Sequence, residues 1–151
     1  MKHQVQNYWA QFLNTTHRPP DTKCFEVFYF GHNERTATNL LALVLQGVKQ
    51  ATDSCSYQYE LADSAYPQVG DFSIVTDFAG KPHCIIETKA VTRLKFHEVT
   101  YDLCRREGED DSLASWQQNH MAFFTAIGKE LGFEFSTDME VIFEDFEVVY
   151  R

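Results

Sequence analysis

Residues 67–92 read PQVGDFSIVTDFAGKPHCIIETKAVT, and this stretch decides the fold class. Pro67 and Gly70-Asp71 signal a turn into the apolar run Phe72 to Phe78. Ala79-Gly80-Lys81-Pro82 then turns the chain into a second run, from about His83 to Thr92. Two β-prone runs joined by a short Gly/Pro turn predict a hairpin. On both sides of it the periodicity is helical. Upstream, Ala37, Leu40, Leu41, Val44 and Leu45 form an apolar stripe over residues 34–46, with Asn33 as N-cap and Gly47 as the stop. Downstream, Leu113, Trp116, His120, Phe123, Ile127 and Leu131 share a second face, started by Asp111 or Ser112 and ended by Gly132.

The outer segments complete the pattern. Val5, Tyr8, Trp9, Phe12 and Leu13 predict a short amphipathic helix over residues 3–13, closed by Pro19-Pro20. Phe25 to Phe30 is apolar but undecided in type, and residues 98–106 look helical. Glu140 to Tyr150, rich in Val, Ile, Phe and Tyr, reads as a strand crossing the core. Strands and helices are interspersed without regular alternation, which predicts an α+β domain. Residues 1–24 are expected to be a helical extension packed on the body, and residues 25–151 a single globular unit.

The chain has 151 residues, 44% of them hydrophobic and 15% aromatic, enough for a core without disulfides or metal. Disorder is not expected of this composition. No run approaches the roughly 18 apolar residues of a membrane span, and the N-terminus lacks a signal-peptide pattern. A cytoplasmic, membrane-free protein is expected. With 22 acidic against 13 basic residues the net charge is −9, which disfavours long polyanions, and DNA is not an expected partner. The basic residues from Lys89 to Arg106 read as a solvated surface. Cys24, Cys55, Cys84 and Cys104 have no CxxC spacing and are expected as reduced thiols. The six histidines show no HxxxH or HExxH, so neither a metal nor a cofactor is expected.

No familiar catalytic signature occurs. Two polar segments stand out instead. In GVKQATDS (residues 47–54), Lys49 follows a helix end, where the dipole favours a cation by about 0.3–1 kcal/mol. It is expected to be partly exposed. If the segment is extended, Thr52, Ser54 and Ser56 share a face, as they also would on a polar strand face towards solvent. In the second segment, Glu107-Gly108-Glu109-Asp110-Asp111 precedes the helix carrying Trp116 and His120. These acids suit a helix start on electrostatics alone. Trp116 and His120, at i and i+4, are either core residues or a wall that stacks on and bonds to a planar ligand.

The order GVKQATDS, PQVGDFSIV, GKPHCIIETKAV, REGEDDSLASWQQNHMAFF and a terminal FEVVY resembles the ASCH family, over about residues 25–150. The resemblance implies a PUA-like fold, a small β-barrel flanked by helices. It also implies nucleoside or RNA binding, since PUA-like relatives often bind RNA. A short bacterial member of the family is an amidohydrolase that deacetylates N4-acetylcytidine with a Lys, a Thr and a Glu, which match Lys49, Thr52 and Glu107 here. Other members are reported as ribonucleases, and a non-catalytic RNA-binding module is the main alternative. Many relatives read EGEGD where this chain reads EGEDD, placing Asp110 at the glycine, and the chain is longer than the short hydrolase.

Amide hydrolysis needs a nucleophile, a proton shuttle and oxyanion stabilisation. Thr52 is the candidate nucleophile. Lys49 is either its base, if its pKa falls from about 10.4 to about 7–8, or a fixed cation while Glu107 moves the proton. Ser54, Trp116 and His120 are the expected ligand contacts.

Overall fold

The computed structural model describes residues 2–151. The elements are α1 (His3–Thr15), β1 (Glu26–Phe28), α2 (Glu34–Leu45), β2 (Ala51–Cys55), α3 (Ser56–Glu60), β3 (Phe72–Thr76), β4 (Pro82–Lys95), α4 (Tyr101–Cys104), α5 (Leu113–Leu131) and β5 (Glu140–Tyr150). Five strands form one mixed sheet in the order β1-β3-β4-β5-β2. The fold class is α+β.

The chain divides into two compact units, the first made of Met1–Gly47, Val69–Lys89 and Phe146–Arg151. Its centre is the hairpin, with Ile74 opposite Ile85 across antiparallel β3 and β4. β1 pairs parallel with β3, so only three residues of the undecided Phe25–Phe30 run are strand. Val5, Trp9, Phe12 and Leu13 of α1 pack on Phe72, Ile74 and Ile85. Leu41 and Val44 of α2 pack on Val75, Cys84, Ile86 and Phe146. The Asn33 side chain accepts from Thr36 N at 2.8 Å, supplying the cap that the sequence implies.

The second unit is Val48–Gln68 with Ala90–Asp145. Here β2 runs antiparallel to β5, from Ala51 opposite Asp145 to Cys55 opposite Val141. Cys55, Phe96, Leu103, Trp116, Phe124, Val141 and Phe143 form its core. The helical reading of residues 98–106 needs correction. A 3₁₀ turn (Phe96–Glu98), the single turn α4 capped by Thr100, and a second 3₁₀ turn (Arg105–Glu107) replace one helix. The buried face of α5 also differs from the expected stripe. Trp116, Phe124 and Gly128 are buried, whereas Leu131 is exposed. A Cβ on Gly128 would collide with the Phe133 carbonyl oxygen, so a glycine there lets the chain fold back tightly over the helix end. All four cysteines are free thiols, and burial pushes Cys55 and Cys104 up to about 11.

Among the described residues no helix is long and apolar enough to cross a membrane.

Candidate acid-base site

The two polar segments singled out in the sequence are stitched together by backbone. Gln50 N donates to Arg106 O at 2.9 Å. Gly108, at φ +73°, lies against Val48, where a Cβ would sit 2.7 Å from the Val48 oxygen. A side chain is therefore excluded twice, by the left-handed backbone and by the close approach.

This seam buries Lys49, which is only 2% exposed and so corrects the expectation of a partly exposed lysine. Its Nζ donates to Ala51 O (2.8 Å), Glu107 O (3.5 Å) and Glu109 Oε2 (2.6 Å). Such oxygen acceptors suit an ammonium. Through these bonds Lys49 holds β2 against the 105–109 segment.

Beside it lies a carboxylate pair with an imidazole. Glu107 is 2% exposed, and its Oε2 accepts the indole N–H of Trp116. The Asp53 carboxyl lies in the same buried group. Burial first, then the charge of Asp53, hold Glu107 well above the ordinary carboxyl value. Burial would also raise Asp53, but the neighbouring His120 and Lys49 charges help to outweigh it and lower Asp53. The same surroundings thus push the two carboxyls in opposite directions, Glu107 up and Asp53 down.

His120 completes the group. Its ring stacks on Trp116 with centroids 4.3 Å apart at 17°. Nδ1 lies 2.9 Å from Trp116 O, and because a carbonyl can only accept, Nδ1 carries a proton. Nε2 is 2.8 Å from Asp53 Oδ2 and 3.8 Å from Glu107 Oε2. Burial pushes the imidazole down, but the neighbouring Asp53 charge leaves it raised overall. His120 keeps 13% of its side chain exposed and Glu109 26%, so solvent reaches the edge of the group.

Lys49, Glu107, Trp116 and His120 come together. Thr52 and Ser54 do not join them. The β2–β5 register runs without a shift, with Asp53 opposite Phe143 and Thr52 opposite Glu144. Side chains alternate along a strand, so Thr52 and Ser54 leave on the face opposite to Asp53. Ser54 Oγ instead meets Tyr59 Oη at 2.8 Å. Trp116 is fully buried, stacked on His120 and on Phe96, which leaves it no surface for a ligand. Asp53 and Glu109 were not singled out in the sequence. Asp53 was detectable only as the acid next to Thr52 on an extended segment, and Glu109 only as one of four helix-start acids.

The model of the ASCH domain matches residues 26–150. The chain belongs to the ASCH domain family. An ASCH domain structure from Lactobacillus crispatus JV V101 is 36% identical, with a TM-score of 0.89, covering 100% of this chain and 97% of that one. A protein structure from Enterococcus faecalis V583 is 27% identical, with a TM-score of 0.90 and coverage of 99% and 90%. A hypothetical protein at 15% identity and a TM-score of 0.54, covering 84% of this chain and 100% of that one, shares the fold alone. No curated protein matches. The ASCH domain brings with it the PUA-like fold. In this member Asp110 fastens the start of α5, its Oδ1 accepting from Ser115 Oγ (2.6 Å) and Asn119 Nδ2 (2.7 Å).

Proposed function

We propose that this ASCH domain binds a nucleoside or the end of an RNA, and that its buried group hydrolyses an acylated nucleobase such as N4-acetylcytidine. The observation that carries the reading is the Glu107–Asp53 pair. The two carboxyls share one buried group, with Glu107 held well above its ordinary value and Asp53 below its own, and Glu107 is 2% exposed. Environments that push two carboxyls apart supply an acid and a base at the same pH. Water is the nucleophile. Asp53 takes a proton from it as it attacks the acyl carbon, and Glu107 gives its own proton to the departing nitrogen. A proton transfer from Asp53 to Glu107 within the buried group then restores both carboxyls to their starting states. Lys49, committed to three acceptors, positions the Glu107 backbone and does not act as the base. Thr52 faces away from this proton route.

A net charge of −9 favours a small ligand over long RNA, because each phosphate contact calls for a cation. The test is a panel of acylated nucleosides incubated with the purified protein, products separated by chromatography. Release of acid and free nucleoside is expected, lost in Glu107→Gln and almost insensitive to salt. RNA binding that weakens steeply with salt, with no hydrolysis of any panel member, would leave a binding module and overturn the enzyme reading.

A further inference from the structure

We infer that Asp53, Glu107 and His120 form a binding site for one divalent metal ion of the Zn²⁺ type. One potential ligand atom from each residue lies within 4.8 Å of the others. Two ligands of a single ion, each about 2.0–2.2 Å from it, are at most about 4.4 Å apart. The separations of 2.8 Å (His120 Nε2 to Asp53 Oδ2) and 3.8 Å (His120 Nε2 to Glu107 Oε2) fall within that reach.

A second observation points to the same place. Asp53 Oδ2 is buried and has no hydrogen-bond partner, although His120 Nε2 is only 2.8 Å away. The two atoms are near neighbours whose geometry is not that of a hydrogen bond. Asp53 is 2% exposed at its side chain and aims this oxygen into the group. The surroundings also match those of metal ligands. His120 gives its Nδ1–H to the Trp116 carbonyl, which in the neutral ring turns the Nε2 lone pair towards the carboxylates. Glu107 Oε2 is held by the Trp116 indole. Ligating histidines and carboxylates are usually oriented by such outer contacts.

The donor set selects the ion. Imidazole favours Zn²⁺ and its neighbours over Mg²⁺ and Ca²⁺, and two carboxylates supply charge to match a dication. Three protein ligands leave a coordination position open. Binding of the ion displaces any protons these ligand atoms carry. This inference goes beyond the acid-base reading and does not require it.

The experiment uses full-length protein stripped with a chelator and titrated with Co²⁺, followed by visible absorption, with Zn²⁺ as competitor. One equivalent of Co²⁺ is expected, displaced by Zn²⁺. Binding should weaken by at least about a hundredfold in Asp53→Asn and in His120→Gln. It should persist in His97→Gln, which removes the exposed His97–Asp138 pair. In wild-type protein Zn²⁺ should shift the ring signals of His120 in NMR spectra and leave those of His83 and His97 in place, a readout that needs no variant to fold. Failure of the wild type to bind one equivalent overturns the inference, as does binding that leaves the His120 ring unshifted. Hydrolysis is assayed separately in the chelator-treated protein, so either reading can fail while the other stands.

Discussion

Lys49 Nζ lies 2.6 Å from Glu109 Oε2, an ion pair between residues 60 apart in the chain. With the bonds to Ala51 O and Glu107 O, it fixes the strand that carries Asp53 against the turn that carries Glu107. The candidate site exists because this seam is closed. Its members are therefore expected to show in stability as well as in chemistry.

Lys49→Met tests the seam directly. The stem is kept, but the Ala51 carbonyl loses a charged donor and Glu109 loses its cation. Removing a hydrogen bond to a charged group costs about 1.5–3 kcal/mol, and Glu109 recovers some solvation because it is a quarter exposed. Urea denaturation should show a loss in that range. Lys49→Arg should also destabilise, because a planar fork does not fit three acceptors arranged around a point charge. A variant as stable as wild type would mean that the buried ammonium contributes nothing to the fold.

Two glycines separate backbone strain from contact. Gly80 has φ +92° with open space around it, so Gly80→Ala should cost only the left-handed penalty of about 1–2 kcal/mol. Gly108 has φ +73° and a Cβ position 2.7 Å from the Val48 oxygen. Gly108→Ala must therefore part the 48 and 108 segments as well, and should lower the melting temperature clearly more than Gly80→Ala. Equal shifts would show that the close approach is relaxed at no cost.

Much of this arrangement was legible in the sequence, for physical reasons. The Asn33 cap, the Gly47 and Gly132 stops and the β3–β4 hairpin are local signals, and each appears where the residues put it. Lys49 and Glu107 were visible as polar residues flanking glycines. Burial of Lys49 was not legible, because it depends on a segment 58 residues away. Asp53 was overlooked beside the more conspicuous hydroxyls, since only strand register tells which of two neighbours faces the core. The buried face of α5 departs from the apolar stripe around Gly128, where a missing side chain makes the contact.

His120 should titrate above its ordinary value of 6.5 in metal-free protein, as followed by its ring proton shifts. Asp53 supplies the charge that raises it, so Asp53→Asn should bring the titration down. Because the folded-state value is raised, His120 contributes stability that is present below about pH 6.5 and lost as pH rises through the folded value. That contribution should vanish from the pH–stability curve of Asp53→Asn. An unchanged His120 titration in the variant would remove Asp53 as its cause.

Glu107→Gln isolates the proton of Glu107. The amide keeps the shape of a protonated carboxyl: its oxygen can accept from Trp116, yet it has no charge to lose. In wild type the raised Glu107 makes the folded state bind more protons than the unfolded one over part of the range. Its contribution is present below the ordinary carboxyl value of about 4.3 and falls away as pH rises through the folded value. The difference in unfolding free energy between Glu107→Gln and wild type should therefore move in favour of the variant as pH rises, in metal-free samples measured across acid and alkaline buffers. Hydrolysis of an acylated nucleoside should be lost in the same variant, because the amide cannot deliver a proton to the leaving nitrogen. A variant that is destabilised equally at every pH would mean that Glu107 is held as the ionised form, with the proton elsewhere in the group.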